Sequence, residues 1–232
     1  MTNYKGIIFD FNGTLFFDSQ MHYDAWKTFS EKLRGTPFSD KEMREHMFGR
    51  TNKDIISYAI GKIPDDELVI KLGEEKESLY RDKCRQLGQK CKLAPFATDF
   101  LDYLKSKNIP RTIATMSNKN NVDFFIEQFN LEKWFNLDKI VYDNGKIKGK
   151  PEPDIYLNAA KNLGLNPKDC VVVEDALSGI QAAHSAGIGK IVAIASMEDI
   201  QLYKNMPEVD LIIKDFSDFE SIISKNPLHN EV

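Results

Sequence analysis

The chain has 232 residues, of which 42% are hydrophobic and 28% charged, and its formal net charge is -4. That composition is ordinary for a globular protein of one good-sized domain, or of one domain carrying an insertion, and the negative balance gives no support to nucleic-acid binding or anionic-membrane attraction. No basic stretch followed by a long apolar run opens the sequence and no stretch approaches bilayer-spanning length, so neither a signal peptide nor a membrane anchor is expected, and the expected location is cytoplasmic.

The first element is short. Gly6-Ile7-Ile8-Phe9 is too brief for a helix and reads as a strand buried on both faces; it ends abruptly in Asp10, with the turn dipeptide Asn12-Gly13 just beyond. From Asp18 to about Gly88 strand-like runs vanish. Met21, Ala25, Trp26, Phe29 and Leu33 recur at helical spacing. Asp40 is expected to cap a helix over about 41–48, Asn52 a helix that begins near Lys53, and Asp65 or Asp66 a long helix through Tyr80. This is a helical block of about 70 residues inserted after the first strand. The three cysteines, Cys84, Cys91 and Cys170, lack metal-ligand spacing and read as reduced, buried or incidental thiols.

From Ala94 onward strands and helices alternate. Helices are expected over about 97–107, 121–129, from the 149–153 turn to 163, and 178–186; strands over 111–115, near 139–142, 170–173, 190–195 and 210–213. Such alternation argues a parallel α/β sheet, Rossmann-like, with a discontinuous core of about 1–17 plus 90–232 and an inserted all-α cap of 18–89.

Three of these strands end in polar groups: Asp10, then Thr115-Met116-Ser117, then Glu174-Asp175. In a parallel sheet the carboxyl ends share one edge, so the groups can converge. Asp10, Asp175 and the nearby Glu174 form a hard oxygen set of the kind that suits Mg2+. Lys150, in the proline-fixed turn Gly149-Lys150-Pro151-Glu152-Pro153, can neutralise facing anions, and the hydroxyls and amides from Thr115 to Asn118 lead towards a helix start that can cradle a phosphate. Each feature alone is commonplace on a protein surface. Together they describe phosphoryl transfer through an aspartyl-phosphate.

The chain resembles the haloacid dehalogenase superfamily, in its β-phosphoglucomutase and phosphatase branch with a helical cap. Asp10-Phe11-Asn12-Gly13-Thr14 resembles that family's DxDGT motif, Thr115 its strand-end hydroxyl, Lys150 in Gly-Lys-Pro its lysine, and Glu174-Asp175-Ala176-Leu177-Ser178-Gly179 its EDxxxG motif. Asp18, His22, Ala25 and Trp26 resemble the opening helix of its cap, and Gly49-Arg50-Thr51 its specificity loop. The resemblance implies Asp10 as nucleophile and metal ligand, the Asn12 backbone carbonyl and Asp175 as further Mg2+ ligands, and Glu174 as a second acidic contact. It implies Thr115 and Lys150 on the transferring phosphoryl, with Ser117, Asn118, His22, Arg50 and Asn52 as substrate contacts. A cap of this kind closes over the Asp10 edge and selects small substrates; the expected partner is a small phosphorylated metabolite and the expected state a monomer.

One position departs from the motif. Where the family has a second Asp as general acid and base, this chain has Asn12, and an amide has no titratable proton near neutral pH. Such a group is worth about 10²–10⁴ in rate, or about 3–5 kcal/mol of barrier. Three explanations stand open: a natural variant that is slow or uses good leaving groups such as acyl phosphates or sugar 1-phosphates; a proton supplied by another group, with His22 the candidate; or an engineered change that traps a state. His22 can also be structural, packing against Trp26 one helical turn away. The expected function is a Mg2+-dependent phosphatase. A phosphohexomutase, which needs acid–base chemistry on a sugar hydroxyl, and a phosphometabolite-binding protein without turnover are the alternatives. Asn52 stands where the mutase has an arginine, which lowers that alternative, and Lys53 falls one position late to match the cap lysine of a related phosphonate-cleaving enzyme.

Overall fold

Short apolar runs and amphipathic stretches separate into two compact units, residues 1–17 with 92–232 and residues 18–91. A computed structural model describes residues 4–47, 51–196 and 200–225. In the first unit, strands β1 (Gly6–Phe9), β2 (Arg111–Asn118), β3 (Val141–Asp143), β4 (Cys170–Glu174), β5 (Lys190–Ile194) and β6 (Leu211–Ile213) form one sheet in the order β3-β2-β1-β4-β5-β6. Every pairing is parallel. β1, β4 and β5 are buried along their whole length, which is why they read as unbroken apolar runs rather than alternating ones.

Helices α5 (Ala97–Ser106), α6 (Lys119–Phe129), α7 (Asp154–Leu163), α8 (Leu177–Ser185), α9 (Ile200–Lys204) and α10 (Phe219–Ile223) complete the unit. Successive strand residues point to opposite faces. Ile8, Ala114 and Val172 therefore join Ile155, Tyr156, Ala159 and Ala160 of α7 and Ile180, Ala182 and Ala183 of α8 in one core cluster. On the other face the Phe9 ring meets Phe100, Phe135 and Phe216 edge-on, with centroids 6.0–6.2 Å apart. β1 sits between β2 and β4, so the strand order reverses direction at β1; crevices for ligands form at such a reversal, beyond the carboxyl ends of the strands.

The second unit is all helical: α1 (Ser19–Arg34), α2 (Asp40–His46), α3 (Asn52–Ile60) and α4 (Asp66–Gln86). Trp26 and Phe29 of α1 pack with Phe38, Met43, Met47, Ile55, Ile56 and Ala59. The buried Ser30 hydroxyl accepts the Phe38 amide at 2.8 Å, which satisfies a backbone donor inside this core.

Two caps differ from expectation by one residue. Ser39, not Asp40, caps α2: its side chain accepts from the Glu42 amide, and the Glu42 carboxylate accepts the Ser39 amide at 2.8 Å. Thr51, not Asn52, caps α3 through the same reciprocal arrangement with Asp54. The cap residue must be extended while its neighbour is already helical, and Ser39 and Thr51 have ψ of 161° and 157°. β2 runs on to Asn118, beyond the expected end at 115, and β3 begins at Val141 after a single helical turn at Leu137–Lys139. α4 is not the solvated helix its charges suggest: Lys76, Glu77 and Arg81 are buried, with Lys76 paired to Glu77 and Arg81 to Glu74. All three cysteines are buried free thiols. Among the described residues no helix is long and apolar enough to cross a membrane.

Phe29 has no exposed surface, whereas Ile63 is 84% exposed. Phe29→Ala should lower stability by about 3–5 kcal/mol, and Ile63→Ala should stay within about 0.5 kcal/mol of the parent, both read from urea unfolding.

Candidate active site

The Asp10 amide still donates to the Val173 carbonyl at 3.0 Å, so the sheet ladder itself sets where this carboxylate leaves the strand. Phe9 lies level with Ile113 of β2 and Val173 of β4. One residue further on stand Asp10 and Glu174, and two further on Thr115 and Asp175, so the sequence-predicted groups emerge along one edge.

The chain then folds back through a tight turn. The Gly13 amide donates to Phe16 at 2.7 Å and the Phe16 amide to Phe11 at 2.9 Å. Phe11 anchors the turn by stacking on Phe125 of α6, with ring centroids 4.3 Å apart. Gly13 has φ +76°, and a Cβ there would overlap the Asp175 carboxyl group, so both conformation and space call for glycine. Thr14 donates its hydroxyl to Asp175 Oδ1 at 3.0 Å, and Tyr203 donates to the Asp175 backbone carbonyl at 2.6 Å.

Lys150 holds the centre. Its Nζ donates to Asp10 Oδ1 at 2.6 Å and also to Glu174 Oε1. Glu174 is fully buried and receives two further bonds, from the Tyr156 hydroxyl at 3.2 Å and from the Ala176 amide at 2.7 Å. Its carboxylate fills the place where a Cβ on Gly179 would stand, which is the physical reason for the glycine in Glu174-Asp175-Ala176-Leu177-Ser178-Gly179.

On the β2 side, the Asn12 side-chain oxygen accepts from Ser117 Oγ at 2.7 Å and from Thr115 Oγ1 at 3.3 Å, and Thr115 Oγ1 in turn accepts the Ser117 amide at 3.1 Å. The Asn118 side chain serves as N-cap of α6, accepting from the Asn121 amide at 3.0 Å.

One atom each from Asp10, Glu174 and Asp175 lie within 4.8 Å of one another, all oxygens. With all three carboxyls ionised, these groups and the Lys150 ammonium would sum to two negative charges. Burial pushes the Asp175 carboxyl well above the ordinary carboxylate range, and the Glu174 and Asp10 charges push it further. Burial opposes the Lys150 ammonium too, yet the Asp10 and Glu174 carboxylates outweigh it and hold its pKa well above the usual lysine value.

The structure thus gathers Asp10, Asn12, Thr115, Ser117, Lys150, Glu174 and Asp175. His22 and Asn52 belong to the helical unit and have partners there. His22 stacks on Tyr80 with centroids 3.9 Å apart, its Nε2 lies 3.4 Å from Asp18 and its Nδ1 3.4 Å from Lys76 Nζ. Asn52 donates to Glu77 at 3.3 Å. Arg50 and Gly49 lie outside the described residues. Tyr156, Thr14 and the buried Lys76 escaped the sequence reading. A tyrosine on the apolar face of α7 was the available signal for Tyr156, since a buried phenol needs a partner for its hydroxyl.

Residues 4–187 match the family described as haloacid dehalogenase-like hydrolase. The chain belongs to that family. The β-phosphoglucomutase of Bacillus subtilis is 31% identical over 189 residues, 79% of this chain and 80% of the relative. A phosphorylated carbohydrates phosphatase of Thermotoga maritima is 27% identical over 190 residues, 82% of this chain and 85% of that one. The crystal structure of a haloacid dehalogenase hydrolase of family IA, variant 3, from Entamoeba histolytica superposes with a TM-score of 0.87 at 42% identity, over 91% of this chain and 93% of that one. The family read from the motifs is the family that matches, and the six-stranded parallel sheet is its fold.

Two substitutions test the electrostatics of this haloacid dehalogenase-like hydrolase. A carboxyl whose folded pKa is raised contributes stability that is present below its unfolded pKa and lost as pH rises through the folded value. Asp175→Asn should therefore stabilise the metal-free protein by about 1–2 kcal/mol at pH 8, and the gain should vanish below the ordinary carboxylate range, as followed by thermal unfolding across pH. Lys150→Ala removes the ammonium that bridges Asp10 and Glu174 and should cost about 3–5 kcal/mol at neutral pH, measured the same way.

Proposed function

We propose that this hydrolase is a Mg2+-dependent phosphatase of small phosphorylated metabolites that works through an aspartyl-phosphate on Asp10. The observation that carries the reading is the Lys150 ammonium held between the Asp10 nucleophile and the buried Glu174, beside the Asp175 carboxyl that Thr14 holds in place. The negative balance of the three carboxylates fits a dication, and an all-oxygen donor set fits Mg2+. Asp10, Asp175 and the Asn12 backbone carbonyl would hold it, and when bound it would neutralise phosphoryl charge. Glu174 is committed to Lys150, Tyr156 and the Ala176 amide, so its role is to position the lysine.

The residues divide the work as follows. An Asp10 carboxylate oxygen attacks phosphorus, and the bond from phosphorus to the leaving oxygen breaks. Lys150 faces the equatorial phosphoryl oxygens, where the transition-state charge sits, and the Thr115 and Ser117 hydroxyls, bonded to the Asn12 oxygen in the free protein, would turn to those oxygens when substrate binds. Water then attacks phosphorus, the Asp10 acyl-phosphate bond breaks, and inorganic phosphate leaves. The Thermotoga maritima relative, named for phosphorylated carbohydrates, supports sugar phosphates as the first substrates to test. A mutase must take a proton from a sugar hydroxyl, and the Asn12 amide favours hydrolysis over that reading.

Phosphate release should be measured on sugar phosphates, acyl phosphates and pyrophosphate, with Mg2+ and with a chelator. Activity should need Mg2+, fall to background in Asp10→Asn, and drop about 10²–10³ in Thr115→Ala through loss of one phosphoryl donor. Turnover that survives both chelation and Asp10→Asn would rule the reading out. Binding of these ligands without any turnover would point to the binding-protein alternative.

A further inference from the structure

Proton supply at the Asp10 edge is the unsolved part of the chemistry. Ionisable side chains gathered there, among the described residues of the sheet unit, include Asp10, Lys150, Tyr156, Glu174 and Asp175, and Tyr203, whose hydroxyl donates to the Asp175 backbone carbonyl. Asp10 is the proposed nucleophile, and Asp175 is assigned to the metal. Glu174 accepts three bonds and stands behind Lys150. Lys150 is bonded to two carboxylates, whose charges outweigh the opposing effect of burial and make it hold its proton more firmly than an ordinary lysine. The Tyr156 hydroxyl is buried and turned to Glu174. His22, the candidate proton source from sequence, has both ring nitrogens engaged inside the helical unit, by Asp18 and Lys76.

Asn12 stands at the same edge, fixed on the Thr115 and Ser117 hydroxyls. Those two donors bond its oxygen in the free protein. An NH2 can donate a hydrogen bond to a phosphoryl oxygen or to a departing anion. It cannot hand over a proton.

We infer that Asn12 is the leaving-group specificity determinant of this site, restricting it to phosphate anhydrides and esters whose leaving group departs as a stable anion without protonation, acyl phosphates foremost. The inference rests on the phosphatase reading above. In the first step Asp10 bonds to phosphorus, the bond to the leaving oxygen breaks, and the carboxylate leaving group takes the electron pair away with no proton transferred from the protein. In the second, water adds to phosphorus, the bond to Asp10 breaks with the electron pair returning to its carboxylate, and the water proton is carried off by phosphate and solvent. The leaving group in that second step is itself a carboxylate, so it too departs unprotonated. The Asn12 amide is no base for the attacking water, however, and the phosphorylated protein should accumulate.

The test compares kcat/KM, which reports the first step, on an acyl phosphate, an aryl phosphate and a sugar-hydroxyl phosphate. These leaving groups span parent acids from the carboxylic range near ~4 to the phenolic range near ~10 and beyond. In the protein as it stands, kcat/KM should fall steeply along that series, and acyl phosphate should leave a phosphoryl group on the protein that survives acid quench and is absent in Asp10→Asn. In Asn12→Asp the ratio of the sugar-hydroxyl kcat/KM to the acyl-phosphate kcat/KM should rise about 10²–10⁴. A shallow series in the unmodified protein, or an equal gain for all three substrates in Asn12→Asp, would overturn the inference and leave the phosphatase reading intact. If neither protein turns over any member, the phosphatase reading falls and takes the inference with it. The slope in the unmodified protein needs no variant, so it decides the matter even if Asn12→Asp does not fold.

Discussion

Three carboxylates and one ammonium at the end of a buried sheet are the constraint on which the rest of this structure depends. Asp10, Glu174 and Asp175 repel one another, and Lys150, bonded to two of them, offsets this from within the protein. A like-charged cluster of this kind destabilises the fold and persists only where surrounding structure over-determines it. Here the over-determination is visible. β1 and β4 are adjacent and in register, so Asp10 and Glu174 cannot drift apart. Glu174 is clamped by the Tyr156 hydroxyl and the Ala176 amide, and Asp175 by Thr14.

The glycines follow from the same crowding. Gly13 and Gly179 are empty volumes that carboxyl groups occupy, one for Asp175 and one for Glu174. The motif spacing is therefore a packing requirement as much as a chemical one. The acidic pair at the end of β4 can sit side by side only if each has a side-chain-free neighbour to lean over. The strand order does the rest, because β1 lies where the sheet changes direction, the place at which parallel sheets bind ligands beyond their strand ends.

Much of this was legible in the chain. Strands buried on both faces announce themselves as unbroken apolar runs, and a parallel sheet puts their ends on one side, so Asp10, Thr115, Glu174 and Asp175 could be grouped before any coordinates. The helix caps were less legible. Asp40 and Asn52 are both good capping types, but three residues beyond them stand Met43 and Ile55, which return no hydrogen bond. Three beyond Ser39 and Thr51 stand Glu42 and Asp54, which do, and that reciprocity decides the cap. Asn118, expected as a substrate contact, has its side-chain oxygen bonded to the Asn121 amide as the cap of α6. His22 suggested a contact with Trp26 from helical spacing along α1; the ring it stacks on is Tyr80, brought by α4 from 58 residues away, and no local pattern encodes that pairing. Buried Lys76 and Glu77 were hidden for the same reason, since two adjacent opposite charges on a helix look solvated until their shared burial is seen.

Asn12 is the place where the levels disagree, and that disagreement bears on whether the site works at all. A protein that only bound a phosphometabolite would gain stability from a neutral residue at Asp175 or Glu174, because it would shed the like-charge repulsion while the Thr115 and Ser117 hydroxyls and the Ala176 amide kept their places. The cluster is nevertheless complete, down to the glycines that make room for it. Only the one side chain that would move a proton is replaced, and its replacement is bonded at 2.7 Å into the hydroxyls of β2 rather than left loose. A site stripped of function would be expected to lose the groups that cost stability first; this one keeps them and exchanges a residue that costs little. That pattern fits a catalyst working on leaving groups that need no proton better than it fits a catalyst in decay.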